Sequence, residues 1–327
     1  MKMRNEFIRL SEGSGGMEMN ELIRMLNIKN RGKWENYDND SSTLDIGGGR
    51  VLVFTTDSFI VEPLFFPGAD IGHIAVCGTI NDLAVMGAEP LGLSLAFVIE
   101  EGFSKKSLAR IMDSINKISD ETRVPVVTGD TKVMQKGKLD KIIINTSGVG
   151  VAKKNELLTK SPKPGDKVII SGGLGEHAIS LLSKRFDYKT SVVSDSKPLI
   201  HEIKSVKDLI KCARDITRGG LSAVLNEICK KERKGVELLE EKIPAKQEVL
   251  NAAEMLGINI LELACEGRLV CFAKAENAEL VEKKLQKFNK DAAIIGEITK
   301  SGKVIINTAL GKRILPMPTG RIVPRIC

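Results

Sequence analysis

The sequence predicts a mixed α/β (α+β) fold in two domains, and three observations support this prediction. Runs of strand length and runs with helical periodicity alternate along the chain. The chain has 327 residues, enough for two domains of about 100–200 residues each. Residues 160–165 are rich in proline and lysine without periodicity, which marks a domain boundary. We therefore expect an N-terminal domain over residues 1–155, a C-terminal domain over 160–310 and a flexible tail over 311–327.

The first half of the chain is predicted to alternate between helices and strands. Met19, Leu22, Ile23 and Leu26 recur at three- and four-residue spacing, which indicates an amphipathic helix. Three glycines at 47–49 separate two β-prone runs and indicate a hairpin. The same criteria predict hairpin strands at 42–46 and 50–56, a helix at 71–87, a strand at 91–100, a helix at 104–119, a buried strand at 124–127 and a strand at 141–151.

The second half has the same mixed character. A strand followed by a glycine-rich turn and a helix opens it, after the proline-rich boundary. Two helices are expected to flank residues 214–220. The remaining predictions are strands at 167–171, 235–239, 269–273, 292–298 and 303–307, and helices at 176–183, 247–256 and 278–288.

Composition limits the classes of partner. Aromatic residues make up only 4% of the chain and hydrophobic residues 42%, so the cores must be aliphatic. The net charge of +7 is compatible with nucleic-acid binding, but the lysines are scattered and there are too few aromatics for base stacking. We therefore expect no nucleic-acid partner. A basic surface also suits ATP or an acidic protein.

The cysteines and the hydropathy predict a cytoplasmic protein. Six cysteines occur without a C-x-x-C pair, which is typical of a reducing compartment. Residues 1–10 lack the apolar segment of a signal peptide. No stretch approaches the roughly 20 apolar residues of a membrane span, so no membrane association is expected.

Three acidic residues are predicted to form a metal site. Asp57 and Asp130 follow apolar strand-like runs, and Asp82 lies in a helix rich in small residues. Convergent carboxylates hold Mg2+ at a phosphate, because this hard cation prefers oxygen ligands. Each could instead cap a helix or pair locally. No Walker A loop is present, so the chain is not a P-loop enzyme.

Lys132 and Glu266 are candidates for catalytic work. Lys132 follows Asp130 and Thr131 and could neutralise a transferring phosphoryl group, or be an ordinary surface lysine. Glu266 lies among apolar residues, where burial raises a carboxyl pKa and suits it to general base catalysis. The alternative for Glu266 is a buried salt bridge to an arginine such as Arg218 or Arg268.

Cys327 closes a segment punctuated by glycine and proline, where helix or central strand is not expected. Fully extended, residues 311–327 reach on the order of 50 Å at ~3.3 Å per residue. The functional interpretation is a tethered thiol that carries a chemical group to a distant site. The alternative is an incidental cysteine in a frayed segment.

Taken together, the motifs resemble the HypE family of hydrogenase maturation proteins, within the PurM-like ATP-using superfamily. The resemblance covers nearly the whole chain in order. It departs from the family pattern at Ala178, where a glycine is usual, and at Ile216, where a proline is usual. The motifs that carry it are residues 13–16, 55–58, 65–68, 78–88, 127–132, 145–146, 214–220, 265–267 and the most specific one, Pro-Arg-Ile-Cys at 324–327.

The resemblance implies a two-domain PurM-like fold whose N-terminal sheet forms a homodimer. It implies that the carbamoyltransferase HypF loads a carbamoyl group onto Cys327. The S-carboxamide is then dehydrated to an S-thiocyanate with ATP and Mg2+. The cyano group passes to iron on a HypC–HypD complex, as a ligand for NiFe hydrogenase.

The matched motifs also imply roles for individual residues. Cys327 carries the group, and Glu266 or Lys132 takes the proton during dehydration. Metal and nucleotide ligands are implied at Asp57, Asp82, Asp130, Thr131 and Asn145, of which the three aspartates hold Mg2+ and the phosphates.

Three rival functions remain open at this point. Selenophosphate synthetases usually carry cysteine or selenocysteine in the N-terminal glycine loop, where this chain has Ser14. Thiamine-monophosphate kinases lack the Pro-Arg-Ile-Cys segment. A carrier that only passes its ligand on would consume no ATP.

Overall fold

The computed structural model describes residues 7–26, 28–320 and 326–327. Two large sheets, a small two-stranded sheet and eight α-helices are found in this part of the chain. The helices are α1 Gly16–Leu26, α2 Ile71–Val85, α3 Lys105–Thr122, α4 Glu176–Arg185, α5 Ile200–Val206, α6 Gly220–Glu232, α7 Gln247–Leu256 and α8 Ala275–Gln286. The strands are β1 Ser42–Gly47, β2 Arg50–Phe59, β3 Phe65–Phe66, β4 Ala69–Asp70, β5 Glu89–Glu100, β6 Val126–Met134, β7 Ile142–Lys153, β8 Lys167–Ile170, β9 Ile210–Asp215, β10 Gly235–Leu239, β11 Leu269–Ala273, β12 Ala293–Thr299, β13 Val304–Thr308 and β14 Gly311–Ile314.

The first sheet has the strand order β1-β2-β7-β5-β6, and only β5 and β6 run parallel. Helix α2 covers one face because nearly all of its residues are apolar or small and buried. A Cβ at Gly72 would meet the Ile111 carbonyl oxygen at 2.7 Å, so this glycine lets α2 approach α3 closely. Along β2, buried residues alternate with exposed ones, so the opposite face of the sheet is open.

Strand β6 differs from its prediction. A buried strand was expected at 124–127, with residues 128–132 following it as a loop. Instead, β6 spans Val126–Met134, and all nine of its residues are exposed. The valines at 124, 126 and 127 favour a buried strand locally. However, β6 lies at the edge of the sheet and pairs only with β5, so its residues are exposed. Residues 128–132 therefore belong to the strand itself.

The second sheet has the order β14-β13-β10-β12-β8-β11-β9. Its interior strand β11 is buried at every residue. One hydrophobic core joins α6 to one face, and another joins α8 to the opposite face through residues such as Val281 and Cys271. Of the two helices expected to flank residues 214–220, α6 follows directly, but α5 ends at Val206 and strand β9 lies between it and the motif. Residues 210–215 form β9 because they pair with β11 at the edge of the sheet.

Residues 315–320 are fixed against two helices, although the sequence predicts a flexible segment over 311–327. The Pro318 carbonyl accepts a hydrogen bond from the Met17 amide at 3.0 Å. The Gly320 amide donates to both carboxylate oxygens of Glu18, at 2.8 and 2.9 Å. On the α6 side, the Ser222 hydroxyl donates to the Pro316 carbonyl at 2.8 Å. Hydrogen bonds of two backbone carbonyls and one backbone amide thus hold residues 315–320, although their side chains show no periodic pattern. Residues 324 and 325 of the Pro-Arg-Ile-Cys motif lie outside the described residues.

Candidate active site

A cavity of about 270 Å³ lies where the two sheets meet. The loop before α1, strand β2, helix α2 and strand β9 contribute to its wall, together with the turns that precede α6 and β11. Its acidic lining residues are Asp40, Asp57, Asp82, Asp215, Glu227 and Glu266, and the Cys327 thiol also lines it.

One end of the cavity is a cluster of carboxylates. Oxygens of Asp40, Asp82 and Asp215 lie within 4.8 Å of one another. Burial, and secondarily repulsion between neighbouring carboxylates, raises the pKa of Asp82 and of Asp215 well above its usual value. Thr55 Oγ1 donates to Asp82 at 2.6 Å, and Arg214 Nε donates to Asp40 at 2.6 Å. Asp40 Oδ2 is buried without a partner among the described residues. This all-oxygen donor set fits a hard divalent cation.

Asp57 adjoins the cluster from strand β2. Its side chain lies on the face of the sheet that α2 covers, like the buried Thr55 two residues earlier. Burial raises the pKa of Asp57, while the positive charge of Arg218 opposes the shift. Asn145 on β7 holds this part of β2 in place, because its Nδ2 donates to the Asp57 carbonyl at 2.7 Å and to Ser58 Oγ at 3.0 Å.

The other end of the cavity brings together Cys327, Glu266 and Arg218. Glu266 is only 2% exposed, and its Oε1 has no hydrogen-bond partner in the described part of the chain. Burial, and then the negative charge of Asp215, raises the pKa of Glu266 well above its usual value. Burial also raises the pKa of the Cys327 thiol, and Glu266 adds to that shift. Cys327 in turn raises the pKa of the Arg218 guanidinium.

Asp195 fixes the backbone around Glu266. Its Oδ1 accepts from the amides of Glu266 at 2.7 Å and Gly267 at 3.0 Å. A Cβ at position 267 would lie 2.0 Å from the Asp195 carbonyl oxygen, which explains the glycine. Arg268 pairs with Glu176 at 2.5 Å. Arg268 is therefore committed to Glu176, and Arg218 is the arginine whose positive charge acts on Glu266.

The structure does not bring every predicted residue into this cavity. Asp130, Thr131 and Lys132 lie on the exposed edge strand β6. Lys132 Nζ pairs with Asp130 at 3.2 Å, and the two side chains are 70% and 61% exposed. Asp130 is paired with Ala96, whose other neighbour is Asn145, so Asp130 lies about 10 Å across the sheet from Asn145. Both lie on the open face, away from α2. Their assignment to the site stays a prediction.

The sequence reasoning missed several cavity residues as site residues, among them Asp40, Asp215 and Arg218. Asp215 and Arg218 fall within the 214–220 motif, so that motif was a usable signal. Asp40 lies in a polar segment that precedes β1, and nothing local distinguishes it from its neighbours.

The two departures from the family pattern are accommodated locally. Ala178 is fully buried inside α4, where alanine favours the helix. The Ile216 amide donates to the Arg268 carbonyl at 3.0 Å, a bond that proline could not form. The Cys265 amide donates to the Ile216 carbonyl at 2.8 Å. The turn before α6 is thus held by backbone bonds on both sides of residue 216.

Fold and site define a two-domain protein of the AIR synthase related class. The family model described as AIR synthase related protein, N-terminal domain, matches residues 38–152, and its C-terminal counterpart matches residues 163–308. Solved thiamine monophosphate kinase from Aquifex aeolicus has a TM-score of 0.68 at 19% identity, which shows the shared fold alone.

More similar proteins narrow the class to one family. The chain is 42% identical to carbamoyl dehydratase HypE of Rhizobium leguminosarum bv. viciae, over 99% of this chain and 96% of the relative. It is 38% identical to carbamoyl dehydratase HypE of Escherichia coli, over 98% and 99%. The chain belongs to the carbamoyl dehydratase HypE family. The predicted fold, the predicted family and the predicted carbamoyl dehydratase activity in hydrogenase maturation are confirmed.

Solved structures agree with this assignment. A crystal structure of a HypE–HypF complex matches with a TM-score of 0.84 at 40% identity, covering 92% of this chain and 100% of that one. A crystal structure of HypE in complex with ATP matches with a TM-score of 0.82 at 37% identity, covering 98% and 100%. Within the described residues, no helix is both long enough and apolar enough to cross a bilayer.

Proposed function

We propose that this chain receives a carbamoyl group on Cys327 and, with ATP, dehydrates it to a thiocyanate that supplies cyanide for hydrogenase iron. The observation that carries the proposal is the shared cavity: the Cys327 thiol, the buried Glu266 and a carboxylate cluster line the same 270 Å³ space. That volume lies just below the usual range for ligand pockets, about 300–1,000 Å³. It suits the reacting phosphate and the modified thiol, while the rest of the nucleotide extends outward.

The reaction balances without a redox partner. The carboxamide oxygen on Cys327 attacks the γ-phosphorus of ATP, ADP leaves, and the nitrogen gives up the first of its two protons, so that a phosphorylated imidate forms. A base then takes the remaining N–H proton as the carbon–oxygen bond breaks, so that phosphate departs and the nitrile forms. Water must be kept from the reacting group, because it would hydrolyse the phosphorylated intermediate.

Magnesium would be held by Asp40, Asp82 and Asp215, with Asp57 adjoining. Their oxygens are close enough to share one cation, and Asp40 Oδ2 has a free acceptor site within the described chain. When bound, Mg2+ would neutralise the phosphate charge during transfer. The cation would also relieve the repulsion that raises the pKa of Asp82 and of Asp215.

Glu266 is the better placed of the two candidate bases. It is buried beside the Cys327 thiol, and burial raises its pKa, which makes its carboxylate a stronger base. Lys132 lies on the exposed strand β6 and would reach the reaction only from a second copy of the chain.

The position of Cys327 must change between steps. Burial raises the thiol pKa in the docked position, which disfavours the thiolate that accepts a carbamoyl group. Loading by HypF and delivery to a HypC–HypD complex would therefore use an undocked state, and dehydration the docked one. A HypE protein has been crystallised with HypF, which supports HypF as a partner here.

A homodimer would complete the site through the open face of the first sheet. Phe54 on that face is 42% exposed, and the row from Asn145 to Asp130 lies on the same face. If the open faces of two copies pack together, Asp130, Thr131 and Lys132 lie near the interface. We place the protein in the cytoplasm, which its free cysteines support.

Intact-mass spectrometry tests this function. The protein is incubated with carbamoyl phosphate, ATP, Mg2+ and HypF from a relative. The expected result is a mass gain that matches carbamoylation, followed by loss of one water and release of phosphate. Cys327→Ala should fold and bind ATP yet never gain mass. Carbamoylation without ATP-dependent water loss would favour the rival function of a carrier that only passes its ligand on. Modification of Cys327→Ala would contradict the role of the Cys327 thiol as the modified group.

A further inference from the structure

Residue Ile326, next to the reactive thiol, is held by a buried histidine that the dehydration chemistry does not use. His177 lies in the first turn of α4 and is completely buried. Its Nε2 lies 2.9 Å from the Ile326 carbonyl oxygen. The Ile326 side chain is itself only 4% exposed and joins the hydrophobic core that includes Phe66 and Val192. Beyond it, the Cys327 carbonyl accepts a bond of 3.3 Å from the Ile60 amide.

The hydrogen-bond network fixes the tautomer of His177. The Ile326 carbonyl can only accept, so Nε2 carries the proton and donates to it. In the neutral ring Nδ1 is then an acceptor, and it accepts a hydrogen bond from the Ser194 hydroxyl 2.9 Å away, whose oxygen accepts from the Ser196 amide at 3.2 Å. Burial lowers the pKa of His177, which keeps the ring neutral near pH 7.

The ring cannot easily rotate away from this position. The Phe66 ring meets it edge to face, with centroids 5.4 Å apart and planes at 83°. The His177 amide donates to Asp195 Oδ2 at 3.2 Å, while Oδ1 of the same carboxylate holds the amide of Glu266 at 2.7 Å. One carboxylate thus positions both the histidine that holds Ile326 and the candidate base.

We propose that His177 is a positioning residue that holds the docked state by binding the Ile326 carbonyl, so that Cys327 faces Glu266. The inference rests on the proposed function, because docking matters only if the thiol also has to leave. A single buried hydrogen bond shifts the docking equilibrium by roughly five-fold. That is enough to favour the docked thiol and weak enough to release it for loading and delivery.

Labelling of Cys327 measures docking without any reaction. His177→Phe keeps an aromatic ring against Phe66 but removes the donor. We expect iodoacetamide to label Cys327 about five-fold faster in this variant, the change that corresponds to one lost buried hydrogen bond, as followed by peptide mass spectrometry. His177→Gln retains a donor and should return the rate towards the parent value. His201→Phe, at an exposed histidine on α5, is the matched control and should leave the rate unchanged.

The reaction itself gives an independent readout. In His177→Phe, carbamoylation of Cys327 by HypF should proceed at least as fast as in the parent, while conversion to thiocyanate slows by about five-fold. A structural defect would slow both steps and lower the melting temperature. If the parent protein itself never forms thiocyanate, the proposed function fails, and labelling still decides the docking contact.

A second variant keeps the inference testable should His177→Phe not fold. Ile326→Ala removes the buried side chain from the other partner of the contact and should also speed labelling. If both single variants fold, the double variant should label no faster than the more affected single variant, because both changes release the same docked state. Labelling of His177→Phe at the parent rate, or of Ile326→Ala at the parent rate, would overturn the inference.

Discussion

The two large sheets of this protein differ in how helices cover them. Helices cover both faces of the seven-stranded sheet, and its interior strand β11 is buried throughout. The five-stranded sheet is covered on one face by α2 and α3, while its other face and its edge strand β6 are exposed. Helix α2 supplies Asp82 on the covered side, and the open side carries Asp130 and Lys132.

This difference divides the candidate site into two parts. Groups from the covered regions, such as Glu266 and Asp215, are buried and already converge within one chain. Asp130, Thr131 and Lys132 on the open face are solvated, and in one chain they line no part of the cavity. The buried groups have shifted pKa values because they have lost water, whereas Lys132 is exposed and pairs with Asp130. Variants of the buried groups and variants of the solvated groups should therefore behave differently.

The largest effect is expected from Glu266→Gln. Removing a general base costs typically 10²–10⁴-fold in rate, so conversion of carbamoylated Cys327 to thiocyanate should fall by about that factor. Carbamoylation itself should continue, because Glu266 takes no part in loading. Intact-mass kinetics separate the two steps. Normal conversion in this variant would remove Glu266 from the mechanism.

Core truncation should show which sheet stabilises the chain. Phe272 on β11 is completely buried, and Phe272→Ala should lower the free energy of unfolding by about 3–5 kcal/mol. Val133 on β6 is 69% exposed, and Val133→Ala should change it by less than about 0.5 kcal/mol. Urea titration followed by circular dichroism compares them. Equal losses of unfolding free energy would mean that β6 is buried in solution by contacts that a single chain does not provide.

Lys132→Ala tests whether the open face of the five-stranded sheet contributes to thiocyanate formation. We expect a loss of roughly 10–100-fold in thiocyanate formation, since the ammonium would stabilise transferring charge. Mixing this variant with Cys327→Ala, after dissociation and reassociation, should restore part of the activity if Lys132 serves the partner's thiol. Restoration would be absent if Lys132 and Cys327 act within one chain. Lys138→Ala, in the exposed turn after β6, is the control.

The smallest effect concerns the pH dependence of the metal-free protein. The folded-state pKa of Asp215 is raised above its unfolded value, near about 3.9. Its contribution to stability is therefore complete below that pH and is lost as pH rises towards the folded pKa. In EDTA at pH 7, Asp215→Asn should raise the free energy of unfolding, because the substitution removes a carboxylate whose charged form is disfavoured by burial and by the neighbouring carboxylates. Stabilisation by added Mg2+ should weaken in the same variant. If Asp215→Asn were less stable than the parent in EDTA, that result would contradict the claim that the carboxylate cluster destabilises the metal-free protein.

Local patterns predicted most elements well, and their failures have a common cause. The helix at 71–87 and the strand at 269–273 were found because their apolar residues follow one dominant period or form one buried run. The failures at β6 and β9 fall on edge strands of their sheets. An edge strand has a single neighbour, so its burial and pairing depend on distant strands more than on its own residues.

The sequence by itself determined the mixed fold class, the family and the identity of the thiol and the buried glutamate, because these depend on residue type and local order. Only the tertiary structure decided which carboxylates converge in the cavity. It joined Asp40 and Asp215 to Asp82 and left Asp130 on the opposite face of its sheet. Convergence depends on strand order and on which face a side chain occupies, and long-range packing sets both.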